Sequence, residues 1–137
     1  MSEAEHETEV RRWLRFAQED LASAEEMAER SLGVPRQACW LAQQAAEKAV
    51  KGALVFQSIG FPKSHDLDLL RGFIPDGWRL KNAPADLAEL SEWSVESRYP
   101  GDWPEATPVD AKQAVALAQE VMRIVTEDLA QRGLNIS

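Results

Sequence analysis

Apolar residues recur at Val10, Trp13, Leu14, Ala17, Leu21, Ala24 and Ala28, the three-and-four spacing of a single helix face. The spacing predicts a helix over about 7–31, ended at Gly33, where a left-handed backbone costs least. Pro35 suits the first turn of a second helix, because its missing N–H is unpaired there anyway. The pattern carries that helix to Ile59, before Gly60, Phe61 and Pro62 break it. Its inward positions, Ala38, Ala42, Ala45, Ala49 and Ala53, are all small. Small side chains let a neighbouring backbone come close, so this helix is expected at the centre of a tightly packed bundle.

A short helix over 65–73 follows, with Ser64 as its cap and Leu67 and Leu70 turned inward. Pro75, Asp76 and Gly77 make a turn, and a fourth helix is expected over about 84–96 with Leu87, Leu90 and Trp93 inside. Pro100, Gly101 and Pro104 make 98–106 a loop. Thr107-Pro108-Val109-Asp110 then reads as a cap, a proline at the first helical position and an acid in the first turn. The last helix buries Ala111, Val115, Ala118, Met122, Val125 and Leu129. No stretch alternates long enough to suggest a strand. The expectation is an all-α, up-and-down bundle of four long helices and one short one. It forms one domain over 1–137, with 1–6 and 132–137 frayed.

Composition narrows this picture. The chain of 137 residues is 45% hydrophobic and 28% charged, an ordinary globular balance. The uncharged run in its most apolar part, Gly52 to Pro62, falls well short of the roughly 20 residues that a membrane span needs. The first ten residues hold four Glu and no apolar run, unlike a secretory signal. Cys39 is the one cysteine, so a reduced, cytoplasmic setting is expected. On an alanine-rich helix face, Cys39 reads as a small buried hydrophobe. The net charge is −8, distributed as −5 over 1–30, +3 over 31–81 and −6 over 82–137. Only the middle third would attract a phosphate or an acidic partner.

Several chemistries lack their residues. Carboxylate-bridged metal bundles use Glu-x-x-His on two helices; here Glu3 and His6 form a single such pair near the chain start. His65 is the one histidine within the folded body, which leaves little for a Ser or Cys nucleophile to use as a base. There is no glycine-rich phosphate loop. Neither a metal nor a cofactor is expected. The second helix also carries a polar stripe of Gln43, Gln44, Glu47, Lys48 and Lys51. That stripe is either an exposed face with a Glu47–Lys51 helix pair or the polar floor of a groove.

Three ordered motifs carry a resemblance: Gln43-Gln44-Ala45-Ala46-Glu47-Lys48-Ala49-Val50-Lys51, then Phe61-Pro62-Lys63-Ser64-His65-Asp66-Leu67, then Arg98-Tyr99-Pro100 with Asp110-Ala111 beyond. Together they resemble the HEPN domain family from about Trp13 to Leu129. The resemblance implies a bundle that dimerises and is commonly encoded beside a minimal nucleotidyltransferase. Such proteins occur in toxin–antitoxin pairs, as RNA-cutting toxins and as nucleotide-binding modules. Many HEPN ribonucleases carry Arg, four to six residues, then His: the arginine neutralises phosphate while the histidine moves a proton. Here positions 58, 59 and 60 are Ser58, Ile59 and Gly60, and no His follows Arg98.

The candidate nucleotide- or phosphate-binding residues are Lys48, Lys51, Lys63, His65, Arg98 and Tyr99. His65 and Lys63 either serve the turn before a short helix or meet a phosphate there. Arg98 either complements a helix C-terminus or, with Tyr99, offers a forked donor beside a stacking ring. The resemblance without the Arg–His motif implies a non-catalytic homodimeric subunit that binds a nucleotidyltransferase and helps hold its nucleotide or nucleic-acid substrate. Tyr99 is then a candidate for modification by the partner. The alternative is a metal-independent ribonuclease toxin in which His65 and Arg98 meet in the fold or across a dimer. Five tryptophans, Trp13, Trp40, Trp78, Trp93 and Trp103, are more than a small bundle needs, so some are expected at an interface. Trp103 could instead anchor its loop against the body.

Overall fold

A computed structural model describes residues 2–94, 100–101 and 103–136. The described residues are helical or irregular, with no strand among them. The chain runs through α1 (Glu3–Arg30), α2 (Pro35–Phe56), α3 (Leu67–Arg71), one 3₁₀ turn (Arg79–Asn82), α4 (Leu87–Ser91) and α5 (Pro108–Gln131). The three long helices pack on one another, and α3 and α4 lie against α2.

α1 begins earlier than the periodicity suggests. Ser2 accepts a hydrogen bond from the Glu5 N–H, and Glu3 and Glu5 favour the positive end of the helix dipole. His6, in the stretch expected to fray, places Nε2 3.0 Å from the Phe56 carbonyl at the end of α2. α1 is closed by Ser31 at φ 53°, with Gly33 two residues further on. α2 stops at Phe56 rather than Ile59. Ser58 takes the left-handed conformation at φ 57°, and the Ser58 and Ile59 N–H groups donate to the Val55 and Leu54 carbonyls. That paired bonding is a Schellman ending, with serine where glycine is usual.

The small face of α2 is packed as expected: Ala38, Ala42, Ala45, Ala49 and Ala53 are all buried, and so is Cys39. At Gly52 the approach is closer still, for a Cβ there would lie 3.2 Å from Trp13 Cβ and overlap the Leu14 side chain. α5 opens on the expected cap. Thr107 Oγ1 accepts from the Asp110 N–H at 3.1 Å, and the Asp110 carboxylate accepts from the Thr107 N–H at 2.8 Å. It ends in a second Schellman pattern, with Gly133 at φ 92° and Leu134 buried against the body.

The elements between α2 and α5 are shorter than the pattern implies. The cap of α3 is Asp66, whose carboxylate accepts from the Leu69 N–H, while Ser64 supports Asp66 by accepting from its N–H. Of the fourth expected helix, five residues are helical among those described, capped by Asp86. Arg98 and Tyr99 lie outside the described residues. No helix among the described residues is long and apolar enough to cross a membrane.

Candidate functional site

Gln43, Glu47 and Lys51 recur every fourth residue on α2, and all three are buried. This settles what spacing alone left open: Glu47 and Lys51 are not an exposed pair. α2 is enclosed by α1, α5 and the segment leading into α3, so its polar stripe faces protein. Buried polar groups must find partners, and these do. Glu47 Oε2 accepts from Lys51 Nζ at 3.0 Å. Glu47 Oε1 accepts from Gln43 Nε2 at 3.1 Å and lies 2.7 Å from His65 Nδ1. Gln43 also donates to the His65 carbonyl at 3.2 Å and accepts from Gln44 Nε2 at 2.8 Å. The stripe thus fastens both the ring and the backbone of His65 to the central helix.

Burial works to raise the Glu47 pKa, but hydrogen bonds from His65, Lys51 and Gln43 and the Lys51 charge outweigh it, leaving the carboxyl below its ordinary value. Glu47 is therefore an anion at neutral pH and can only accept. The ring must carry its proton on Nδ1, and Nε2 is the remaining polar atom of a half-exposed imidazole. A carboxylate that fixes tautomer and orientation is also how a catalytic histidine is held, so the dyad by itself is compatible with proton transfer.

The surroundings decide differently. His65 opens on a cleft of about 360 Å³ lined by Ser64, Asp66, Asp68, Ala88, Ser91, Glu92 and Ser94. Among the described residues that line it, three are acids and none is Lys or Arg. Most of the polar groups serve the local structure. Asp66 caps α3, Asp68 pairs with Arg71 at 2.8 Å, and Ser91 accepts from the Leu67 N–H while donating to the Leu87 carbonyl. Among the described residues, no three His, Cys, Asp or Glu side chains gather as a metal would require.

Of the six residues singled out by sequence, Arg98 and Tyr99 lie outside the described residues, and the other four do not form one cluster. Lys51 sits beneath the cleft against Glu47, with Nζ 5.7 Å from the Phe61 ring centroid. Lys48 is turned toward α1, where it pairs with Asp20. Lys63 is exposed on the approach to α3, two residues before His65. Gln43 and Glu47 are the groups that sequence reasoning did not connect with His65. The signal was present in the four-residue spacing, but nothing in a linear pattern says which side of a central helix the next segment will cover.

Of the tryptophans, Trp13 packs edge-on against Phe61, and Trp78 against Phe56, with Arg132 4.1 Å above the Trp78 ring. Trp40 and Trp103 stay exposed.

Comparison with known proteins places this geometry. A profile of the HEPN domain matches residues 10–129. The crystal structure of TT1696 from Thermus thermophilus is similar over 87% of this chain and 97% of that one, with a TM-score of 0.72 and 29% identity. ST0689, described as an archaeal HEPN homologue, is similar over 86% of this chain and 95% of its own, with a TM-score of 0.64 and 30% identity. No curated protein matches the chain.

Proposed function

The chain belongs to the HEPN domain family, and from that premise we propose that it is a non-catalytic, homodimeric subunit that associates with a minimal nucleotidyltransferase. Its role there is to help hold the partner's nucleotide or nucleic-acid substrate, in a toxin–antitoxin pair or a related two-protein system. The observation that carries the non-catalytic half is the wall of the His65 cleft. Cleaving a phosphodiester gathers negative charge in the transition state, and among the described residues the cleft wall holds no Lys or Arg to meet it. Lys51, the nearest buried cation, is already neutralised by Glu47. Phosphate contact then falls to Lys63, with Arg98 and Tyr99, four and five residues beyond Ser94 in the sequence. The homodimer is supported by the apolar surface left open, Trp40 and Trp103 included.

The Glu47–His65 dyad is the specific observation that favours a second reading, a metal-independent ribonuclease. One pair of measurements separates the two. The tagged protein is captured from its native cells under non-denaturing conditions, and the purified protein is incubated with RNA in EDTA. The proposal expects a stoichiometric nucleotidyltransferase-type protein in the first and intact RNA in the second. Cleavage that His65→Ala abolishes, with folding unchanged, would replace it with the ribonuclease.

A further inference from the structure

The strongest uncompensated positive charge among the described residues lies away from His65, on α1. Arg11, Arg12 and Arg15, with Thr8, Gln18 and Ile136, line a groove of about 470 Å³ between α1 and the segment after α5. Elsewhere the arginines mostly meet carboxylates: Arg30 with Glu26, Arg71 with Asp68, Arg79 and Arg123 with Glu127, and Arg132 with Asp128. Acids outnumber bases 23 to 15, so partners are plentiful. Yet among the described residues Arg11, Arg12 and Arg15 make no ion pair. Glu7 and Glu19 stand four residues from Arg11 and Arg15, a spacing at which helix pairs form readily, and those pairs are not made. Arg11 instead donates to the Asn135 carbonyl, which ties the floor of the groove to the segment after α5, and Arg15 lies 5.1 Å from the Phe16 ring centroid.

We propose that this groove is a binding site for a compact polyphosphate, the chemistry shared by inorganic triphosphate and the tail of a nucleoside triphosphate. Three guanidinium groups within little more than one helical turn suit an anion with several closely spaced charges, since the forks of Arg12 and Arg15 can each take two phosphate oxygens and Arg11 keeps further N–H groups beside its bond to Asn135. A lone carboxylate would satisfy only one of them. The groove has the volume of a small-molecule site. A long nucleic acid would run beyond it onto a surface carrying Glu7, Glu9 and Glu19 on a protein of net charge −8, where the repulsion is unfavourable. The site is independent of the His65 cleft and of the partner proposed above.

The test is calorimetric titration of the whole chain with sodium triphosphate, with ATP and GTP, and with a single-stranded RNA oligomer, at low ionic strength. The expected result is one triphosphate per chain, weakened at least tenfold in the Arg12→Gln/Arg15→Gln variant with its helical content and thermal midpoint unchanged. Thr8→Glu, which leaves all three arginines in place and adds an acid to the wall, gives the same loss. Equal binding of triphosphate and nucleotides supports recognition of the phosphate chain alone, and tighter nucleotide binding supports the nucleotide as its source. No binding, or binding that both variants retain, overturns the proposal. Arginine-dependent binding of RNA without triphosphate binding overturns it in favour of an extended phosphodiester chain.

Discussion

Glu47 shows how much depends on a single buried carboxylate. It balances Lys51, orients His65 and shares Gln43, so Glu47→Gln leaves a buried ammonium without its counter-charge. Breaking one side of a buried pair costs on the order of 3 kcal/mol, which chemical denaturation of the variant at neutral pH would show. The pH dependence follows from the direction of its pKa. Because the folded-state value lies below the unfolded one, the stabilisation is complete above the ordinary glutamate value of about 4.3 and is lost as pH falls through the folded value. Denaturation midpoints followed from pH 6 to pH 3 should therefore fall more steeply in the wild type than in Glu47→Gln. Parallel curves would show that the carboxylate contributes nothing through its charge.

Asp128 is a second such residue, and the sequence offers no hint of it. It is fully buried on α5 and accepts from both the Arg79 and Leu80 N–H groups at 3.0 Å, holding the 3₁₀ turn against the helix. Asp128→Asn would set the new side-chain N–H₂ against one of those donors. A loss of about 2 kcal/mol is expected in the same assay, within the range for a buried donor left unpaired.

At the scale of elements, legibility followed whether the cue was local. Thr107-Pro108-Val109-Asp110 contains its whole instruction, and the cap it specifies is the one observed. Thr107→Ala should cost about 1 kcal/mol in thermal unfolding. The end of α2 was misplaced by three residues because Ser58, not a glycine, takes the left-handed position. The small face of α2 was legible as a row of alanines, but the role of Gly52 was not. Its reason lies on α1, where Trp13 and Leu14 come against it. Two effects compete there. Alanine gains up to about 1 kcal/mol of helix propensity, while overpacking typically costs 1–3 kcal/mol. Gly52→Ala should thus fall between neutral and about 2 kcal/mol destabilising, and Gly52→Val, with more bulk and less propensity, should lose more. Equal melting temperatures for wild type and Gly52→Val would mean that α1 and α2 are not held at this distance.

For the whole molecule, the α-bundle was readable because amphipathic periodicity is a property of the entire chain, whereas the arginine groove was not, because charge summed over thirds hides its grouping. Residues 1–30 total −5 and still contain the arginine groove. Exposed apolar surface gives the remaining argument about assembly. Gln119 on α5 donates to Glu25 on α1 at 2.6 Å and Arg11 on α1 donates to Asn135 beyond α5, so the two helices run antiparallel and α5 starts at the end of the bundle that carries the α1–α2 turn. Leu32, Val34 and Val109 are all exposed at that end, with Trp40 little more than a turn into α2. Apolar side chains gathered at one end are costly to leave in water and are a common mark of an interface. The homodimer proposed above is therefore expected to form through that end. Light scattering at micromolar concentration should give twice the 15.3 kDa of one chain, and Trp40→Glu should return it to a single chain without lowering its thermal midpoint. A dimer indifferent to Trp40→Glu would move the interface toward the segment around Trp103, and a monomeric wild type would remove the dimer from the proposed function.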